Sequence, residues 1–191
     1  MLPFARLTII GLGLIGSSVA RAVKAQMPSV RITGHDADPA VRERVVALGI
    51  CDDVTDTSGA SVMDANLVIL CVPVGAMGTV AAEFAADLPV DAIVSDVGSC
   101  KQSVAEALGA ALPNAIIIPA HPVAGTEKSG PDAGFSTLFK GRWCILTPPE
   151  MHQRPLLNTC AFFGSSLAPM SKLWTRATMI WFLPSPAICR T

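Results

Sequence analysis

Charge and aromatic surface are both scarce in this chain, at 15% and 5% of its 191 residues. Its 14 basic side chains are balanced by 15 acids, for a net charge of -1. With no surplus of either sign there is no basic face for nucleic acid. Long apolar runs are absent too. None approaches the roughly 20 uninterrupted residues of a membrane span, and "MIWFLPSPAIC" near the C-terminus is short and broken by Pro184 and Pro186. The N-terminal "LTIIGLGLIGSSVA" is cut by glycines and lacks a charged stretch leading to a cleavable end, so it reads as buried strand and turn rather than a signal peptide. The six cysteines, at 51, 71, 100, 144, 160 and 189, form no CxxC pair and no metal-ligand spacing. Several lie in apolar runs where cysteine acts as a small hydrophobe. Reduced thiols, no bound metal and a cytoplasmic location are expected.

What is present is an alternation. "RLTIIGLG", "VRITGHD", "ANLVILCVPV", "DAIVSDVGS", "NAIIIPAH" and "RWCILTP" read as strands. Gly, Asp and Pro bound them, and alanine-rich helical segments such as "GSSVARAVKAQ" and "AVRERVVALG" flank them. Continuous apolar strands separated by helices predict a mostly parallel sheet covered on both faces, a doubly wound α/β (Rossmann) domain over residues 1–149.

Within it, "GLGLIGSSVARAV" sets Gly11, Gly13 and Gly16 as G-x-G-x-x-G between a strand and a helix. Gly11 permits the tight turn, Gly13 lets backbone approach a pyrophosphate, and Gly16 lets helix and strand pack closely. Leu14 and Ile15 then fall at the helix N-terminus, where the phosphates sit. The next strand ends in "GHDAD", and Asp36 is placed to accept both ribose hydroxyls of NAD and to repel a 2′-phosphate. No arginine follows it immediately; Arg42 and Arg44 come later. NAD is therefore favoured over NADP, which remains an alternative. "LCVPVGAM" ends another strand, and ligands bind at the carboxyl ends of such strands. Cys71, Val72 and Pro73 are expected beside the cofactor, or else as plain strand-end packing.

"SDVGSCK" and "PAHPVAGTEKSGP" each follow a strand and should open onto the same crevice. His121, one of three histidines, has a side chain suited to general base work near neutral pH. Ser99 is a candidate to orient that imidazole or hold the nicotinamide amide, with a helix N-cap as an alternative that is compatible with either. Lys101, Thr126, Glu127, Lys128 and Ser129 read as polar loop residues that could be solvated.

Taken together, "GLGLIGSS", "DVGSCK" and "HPVAGTEKSGPDAGFSTLFKGRWCILTP" resemble the prephenate/arogenate (cyclohexadienyl) dehydrogenases of tyrosine biosynthesis. The third stretch is long and specific, and the resemblance runs from about Leu7 to Pro149. It implies NAD-dependent oxidative decarboxylation of prephenate to 4-hydroxyphenylpyruvate, or of arogenate to tyrosine. It gives His121 the role of accepting the substrate hydroxyl's proton and sets Ser99 beside it, near nicotinamide and substrate. Thr126 joins them as a substrate-binding candidate. A different oxidoreductase of similar fold, such as a hydroxyacid dehydrogenase, and a non-catalytic NAD-binding module are the rival readings.

Beyond Glu150 the composition changes. None of the fifteen acids lies in residues 151–191, while five of the ten Phe and Trp residues do. The resembled family continues into a helical domain that completes the substrate pocket, forms a homodimer and carries a signature like "HHDLVLAITSHLPH". Residues 150–191 contain no such string. Read one nucleotide earlier, however, the codons of Met179-Ile180-Trp181-Phe182 force an Asp and a Val, with Leu or Met between them. The whole stretch 178–190 then permits "HHDLVLAITSHLP". The expectation is a remnant translated out of frame, poorly structured, without the dimer interface and with apolar surface left exposed. A native disordered tail is the alternative.

Overall fold

The computed structural model describes residues 4–147 and 170–173. Its centre is a sheet of six parallel strands: β1 (Arg6–Ile10), β2 (Arg31–His35), β3 (Asp53–Thr55), β4 (Leu67–Leu70), β5 (Ile93–Asp96) and β6 (Ile116–Ile117). Their order across the sheet is β3-β2-β1-β4-β5-β6, so the chain winds outward from β1 in one direction and then from β4 in the other. That order is the doubly wound arrangement expected from the alternating pattern.

Side chains alternate across the sheet. Leu7 and Ile9 of β1, with Leu67 and Ile69 of β4, enter one core with Val19 and Val23 of α1 (Leu14–Gln26) and Val45 of α2 (Pro39–Leu48). Ile10, Val68 and Leu70 enter the other, with Val62 of α3 (Ser58–Val62), Met77 and Phe84 of α4 (Met77–Phe84), and Val104 and Leu108 of α5 (Lys101–Ala111). Both faces of β4 are buried, which is why its sequence is continuously apolar. Helix α2 has recognisable ends: the Asp38 carboxylate accepts the Ala40 N–H at 2.9 Å, and Gly49 closes it in the left-handed region at φ 61°.

Two readings are corrected. "NAIIIPAH" is not one strand. Ile118 still donates to the Val94 carbonyl at 2.9 Å, but Pro119 has no N–H to continue the ladder, and its carbonyl instead accepts from Thr147 at 2.9 Å. The chain leaves the main sheet there and starts a second one, in which β7 (Ala120–Pro122) runs antiparallel to β8 (Trp143–Leu146). "RWCILTP" therefore belongs to this small sheet and not to the parallel one. The second correction is β3, three half-buried residues that were not read as a strand at all. The small sheet's third strand, β9 (Met170–Leu173), pairs parallel with β8 and falls inside the segment expected as an aberrant tail. The rest of that segment, Cys160 and Cys189 included, lies outside the described residues. Cys51, Cys71, Cys100 and Cys144 are thiols, and no helix among the described residues is long and apolar enough to cross a membrane.

The β1–α1 junction leaves no room for a side chain at Gly16. A Cβ added at Gly16 would lie 1.9 Å from the Gly11 carbonyl oxygen, an atom fixed by the turn. Gly16→Ala should therefore cost stability at the upper end of the overpacking range, about 3 kcal/mol. Gly109, in α5, has open space where its Cβ would be, and Gly109→Ala should instead stabilise by about 0.5–1 kcal/mol. Thermal or urea unfolding of the two variants checks both signs.

Candidate dinucleotide site and adjoining histidine

The strand order reverses between β1 and β4, and the sequence-predicted cofactor residues gather at the carboxyl ends of these strands. Gly11 donates to the His35 carbonyl at 2.8 Å and has φ 93°. A side chain there would strike the Cys71 carbonyl at 2.8 Å, so both conformation and space require glycine. At Gly13 a Cβ would meet nothing within 4 Å: the loop presents bare backbone to an open crevice. Gly13 is also the N-cap of α1, makes no side-chain capping bond, and no acid occupies the first turn. The N–H groups of Leu14 and Ile15 have no acceptor within the helix. Exposed donors, a positive helix end and room for close approach fit a pyrophosphate.

Asp36 is held from two sides. One carboxylate oxygen accepts the Leu12 N–H at 2.7 Å and the other accepts the Asp38 N–H at 3.0 Å. Each oxygen keeps a lone pair for a ribose hydroxyl. The nearby arginines are engaged elsewhere. Arg42 donates to the carbonyls of Asp36 and Ala37 at 2.7 and 3.2 Å, with its Nε 3.4 Å from Asp56. Arg44 forks onto Asp132 at 2.9 and 3.0 Å. Opposite the glycines, Cys71 donates to the Ile10 carbonyl at 2.7 Å, the Val72 side chain closes on Gly11, and exposed Pro73 leads into a 3-10 turn (Val74–Ala76). Burial pushes the Cys71 thiol far above its ordinary value, so this residue offers a packing surface and not a nucleophile.

His121 stands on β7, and its Nδ1 lies 3.0 Å from the Val97 carbonyl oxygen just beyond β5. A carbonyl can only accept, so Nδ1 carries the proton and the neutral ring keeps a lone pair on Nε2. Burial lowers the imidazole's pKa below 6.5, against the Val97 bond, which raises it; the nearby Lys101 charge lowers it further and Asp96 opposes that. The ring is thus a neutral base at neutral pH. Ser99 is exposed, two residues beyond Val97. The N-cap of α5 falls on Cys100, without a side-chain capping bond, so the capping alternative for Ser99 does not hold.

The residues after His121 turn back over the cofactor helix. Thr126 is exposed, and its Oγ1 accepts the Lys128 N–H at 3.2 Å. Gly130 has φ 83°, a Cβ on Gly134 would lie 2.2 Å from the Ser17 hydroxyl, and Phe135 N–H donates to Ser18 Oγ at 3.1 Å. Glu127, Lys128 and Ser129 are exposed, as a solvated loop requires.

Lys101 differs from its reading as a solvated loop residue. It is the first residue of α5, only 6% exposed, and its ammonium donates both to Asp96 and, at 2.6 Å, to the Ala120 carbonyl. Asp96 is 1% exposed and also accepts from Gly98 N–H at 2.7 Å and Ala120 N–H at 3.2 Å. Burial, the largest influence on each, pushes Asp96 up and Lys101 down from their ordinary values, and their mutual attraction works against both shifts. The only signal in the sequence was an Asp and a Lys five residues apart across a strand-to-helix turn.

The parallel sheet, the glycine turn at its switch point and the carboxylate ending β2 define a dinucleotide-binding domain of the doubly wound class. Residues 19–164 match the family model of the prephenate dehydrogenase nucleotide-binding domain. The chain belongs to this family. It is 53% identical over 148 residues to the cyclohexadienyl dehydrogenase of Zymomonas mobilis, covering 78% of this chain and 50% of that protein. Among solved structures it superposes on Synechocystis arogenate dehydrogenase with a TM-score of 0.82 at 26% identity, covering 90% of this chain and 60% of that one. Prephenate dehydrogenase from A. aeolicus, in complex with hydroxyphenyl propionate and NAD+, gives 0.76 at 26% identity, over 94% and 61% of the two chains. The chain spans about half the length of the curated relatives it matches.

Asp36→Ala should remove the ribose acceptor and leave Leu12 N–H without its partner. Charge-assisted hydrogen bonds contribute about 1.5–3 kcal/mol, so calorimetric titration should show NAD binding weakened roughly 10- to 100-fold, with NADP affected much less.

Proposed function

We propose that this chain is the cofactor half of a prephenate/arogenate dehydrogenase, with NAD as its cofactor. The observation that carries the reading is the orientation of His121: Nδ1–H is tied to the Val97 carbonyl at 3.0 Å, leaving Nε2 as the free base. When bound, NAD supplies a hydride acceptor for the ring carbon bearing the substrate hydroxyl. His121 Nε2 takes the hydroxyl proton as that carbon becomes a carbonyl; as carbon dioxide leaves, its bonding electrons enter the ring and reach the carbonyl oxygen, which regains a proton to give the aromatic phenol. Ser99, exposed beside Val97, is assigned to the same hydroxyl or to the nicotinamide amide. Thr126 keeps its hydroxyl hydrogen for a substrate oxygen, since its own oxygen already accepts from Lys128. Holding these groups in near-attack geometry needs a closed pocket. The 191-residue chain alone is therefore expected to turn over prephenate weakly or not at all, and homodimer formation is assigned outside the cofactor domain. A cytoplasmic location fits the thiol state of the described cysteines.

The domain boundary at 149 and an out-of-frame origin for 150–191 belong to the same proposal. The family match runs on to residue 164, which counts against an out-of-frame origin for 150–164 and leaves it for the residues beyond. Resequencing from the codon of Pro149 past that of Thr191 tests this: a single nucleotide that restores the family signature supports it, and an unchanged frame with no such signature in any register counts against it.

In a chain joined to a helical domain, His121→Asn should lower kcat with prephenate by about 10²- to 10⁴-fold. The wild-type profile of kcat/KM should fall toward acid with its midpoint below the ordinary imidazole value of 6.5, because the depressed pKa keeps Nε2 unprotonated to lower pH. Full activity of the Asn variant, or preference for simple 2-hydroxy acids in a substrate panel, would reject the assignment.

A further inference from the structure

Asp96 and Lys101 carry no role in the reaction proposed above, yet they are among the few charged side chains buried in the domain. Lysine and aspartate are rarely buried unless paired, and burying a pair costs several kcal/mol per ion before their attraction offsets it. Their contacts converge on one point of the chain. Asp96 accepts the N–H of Ala120 at 3.2 Å, and Lys101 donates to the carbonyl of the same residue at 2.6 Å. Both polar groups of Ala120, the residue before His121, are therefore bound by one ion pair. That pair is fixed to the Ser99 loop, because Asp96 ends β5, Lys101 begins α5, and Gly98 N–H between them also binds Asp96 at 2.7 Å.

We propose that Asp96 and Lys101 are positioning residues for His121: the buried pair clamps Ala120 against the 96–101 segment, so that Nδ1–H meets the Val97 carbonyl and Nε2 is left free. The inference rests on His121 being the reacting base for its functional meaning, but its geometry stands apart from any substrate. Among the described residues, the other ties near this point are the Val97 bond, the apolar packing of Ala120 in the core, and the bonds of Ile118 to Val94 and Ser95 two residues earlier. Among the described residues, the charged and titratable groups around the site are Asp96 on β5, Lys101 on α5, Cys71 after β4, Cys100 before α5 and, on β8, Cys144, whose thiol is pushed up to about 11 by burial.

The test is the tautomer of neutral His121, read from imidazole ¹⁵N shifts in the full 191-residue chain across pH, for wild type, Lys101→Met, Lys101→Arg and the double variant Asp96→Asn/Lys101→Met. In wild type the neutral ring should be almost entirely the Nδ1–H form. In Lys101→Met that form should fall to about half of the neutral population, since the tautomer follows the bond the other nitrogen makes. Lys101→Arg, which keeps a cation and its donors, should restore at least part of it. The double variant removes both charges and guards against loss of folding from a lone buried carboxylate. An unchanged Nδ1–H tautomer in folded Lys101→Met or in the double variant overturns the proposal. So does loss of the native near-UV spectrum in both, which would make the pair a folding element only. Because no substrate is used, failure here leaves the base role of His121 to its own kinetic test. An inactive His121→Asn enzyme with an unperturbed tautomer in Lys101→Met would separate the two.

Discussion

At the switch point the backbone itself is the packing surface. The Gly11 carbonyl lies where a Gly16 side chain would be, and the Cys71 carbonyl lies where a Gly11 side chain would be. These two approaches bring α1 against β1 and the end of β4 against the turn, with no side chain between them. The space so cleared is what lets Gly13 and the unfilled N-terminus of α1 face the crevice. The apolar cores on the two faces hold the sheet and helices together, but they are tolerant of their exact contents. The carbonyl contacts at the glycines are not, because the backbone cannot repack around an added methyl.

A second constraint acts where the main sheet ends. Pro119 stops the parallel ladder, and the next residues pair with β8 in a different sheet. The junction is held largely by polar contacts: the Val97 carbonyl to His121, and the Asp96–Lys101 pair to Ala120. The loop beyond His121 then returns to α1 through Gly134 on Ser17 and Phe135 on Ser18. The histidine and the cofactor helix are thus joined along two routes, one through the end of β5 and one through the 130–135 turn.

The features legible in the sequence are those set by short-range rules. The glycine spacing, the acid ending β2 and the apolar run of β4 each state their role within a dozen residues. His121 stood out by its place at a strand end facing the crevice, and its ring does lie against the end of β5, 3.0 Å from the Val97 carbonyl. What was not legible depends on distant partners. β3 is too short and too polar to show a strand period, and it forms only because β2 offers an edge at Thr33–His35. "NAIIIPAH" conceals a change of sheet that is decided by Thr147 and β8. Lys101 looks solvated in isolation, since nothing local announces that Asp96 and the Ala120 carbonyl will enclose its ammonium.

The same burial that hides this pair from a sequence reading bears on the chemistry. Removing His121 from water lowers its pKa, and the Lys101 charge pushes in the same direction, whereas Asp96 pushes against it. A lone buried carboxylate at this place would be driven to take up a proton itself; a lone ammonium would be costly to bury and would carry no acceptor for the Ala120 N–H. Paired, the two charges act on the imidazole in opposite directions while each still binds one half of the Ala120 backbone. An apolar pair of similar volume would be cheaper to bury, but it could bind neither the N–H nor the carbonyl. The ion pair is thus the arrangement that fixes the backbone ahead of the histidine without charging the ring.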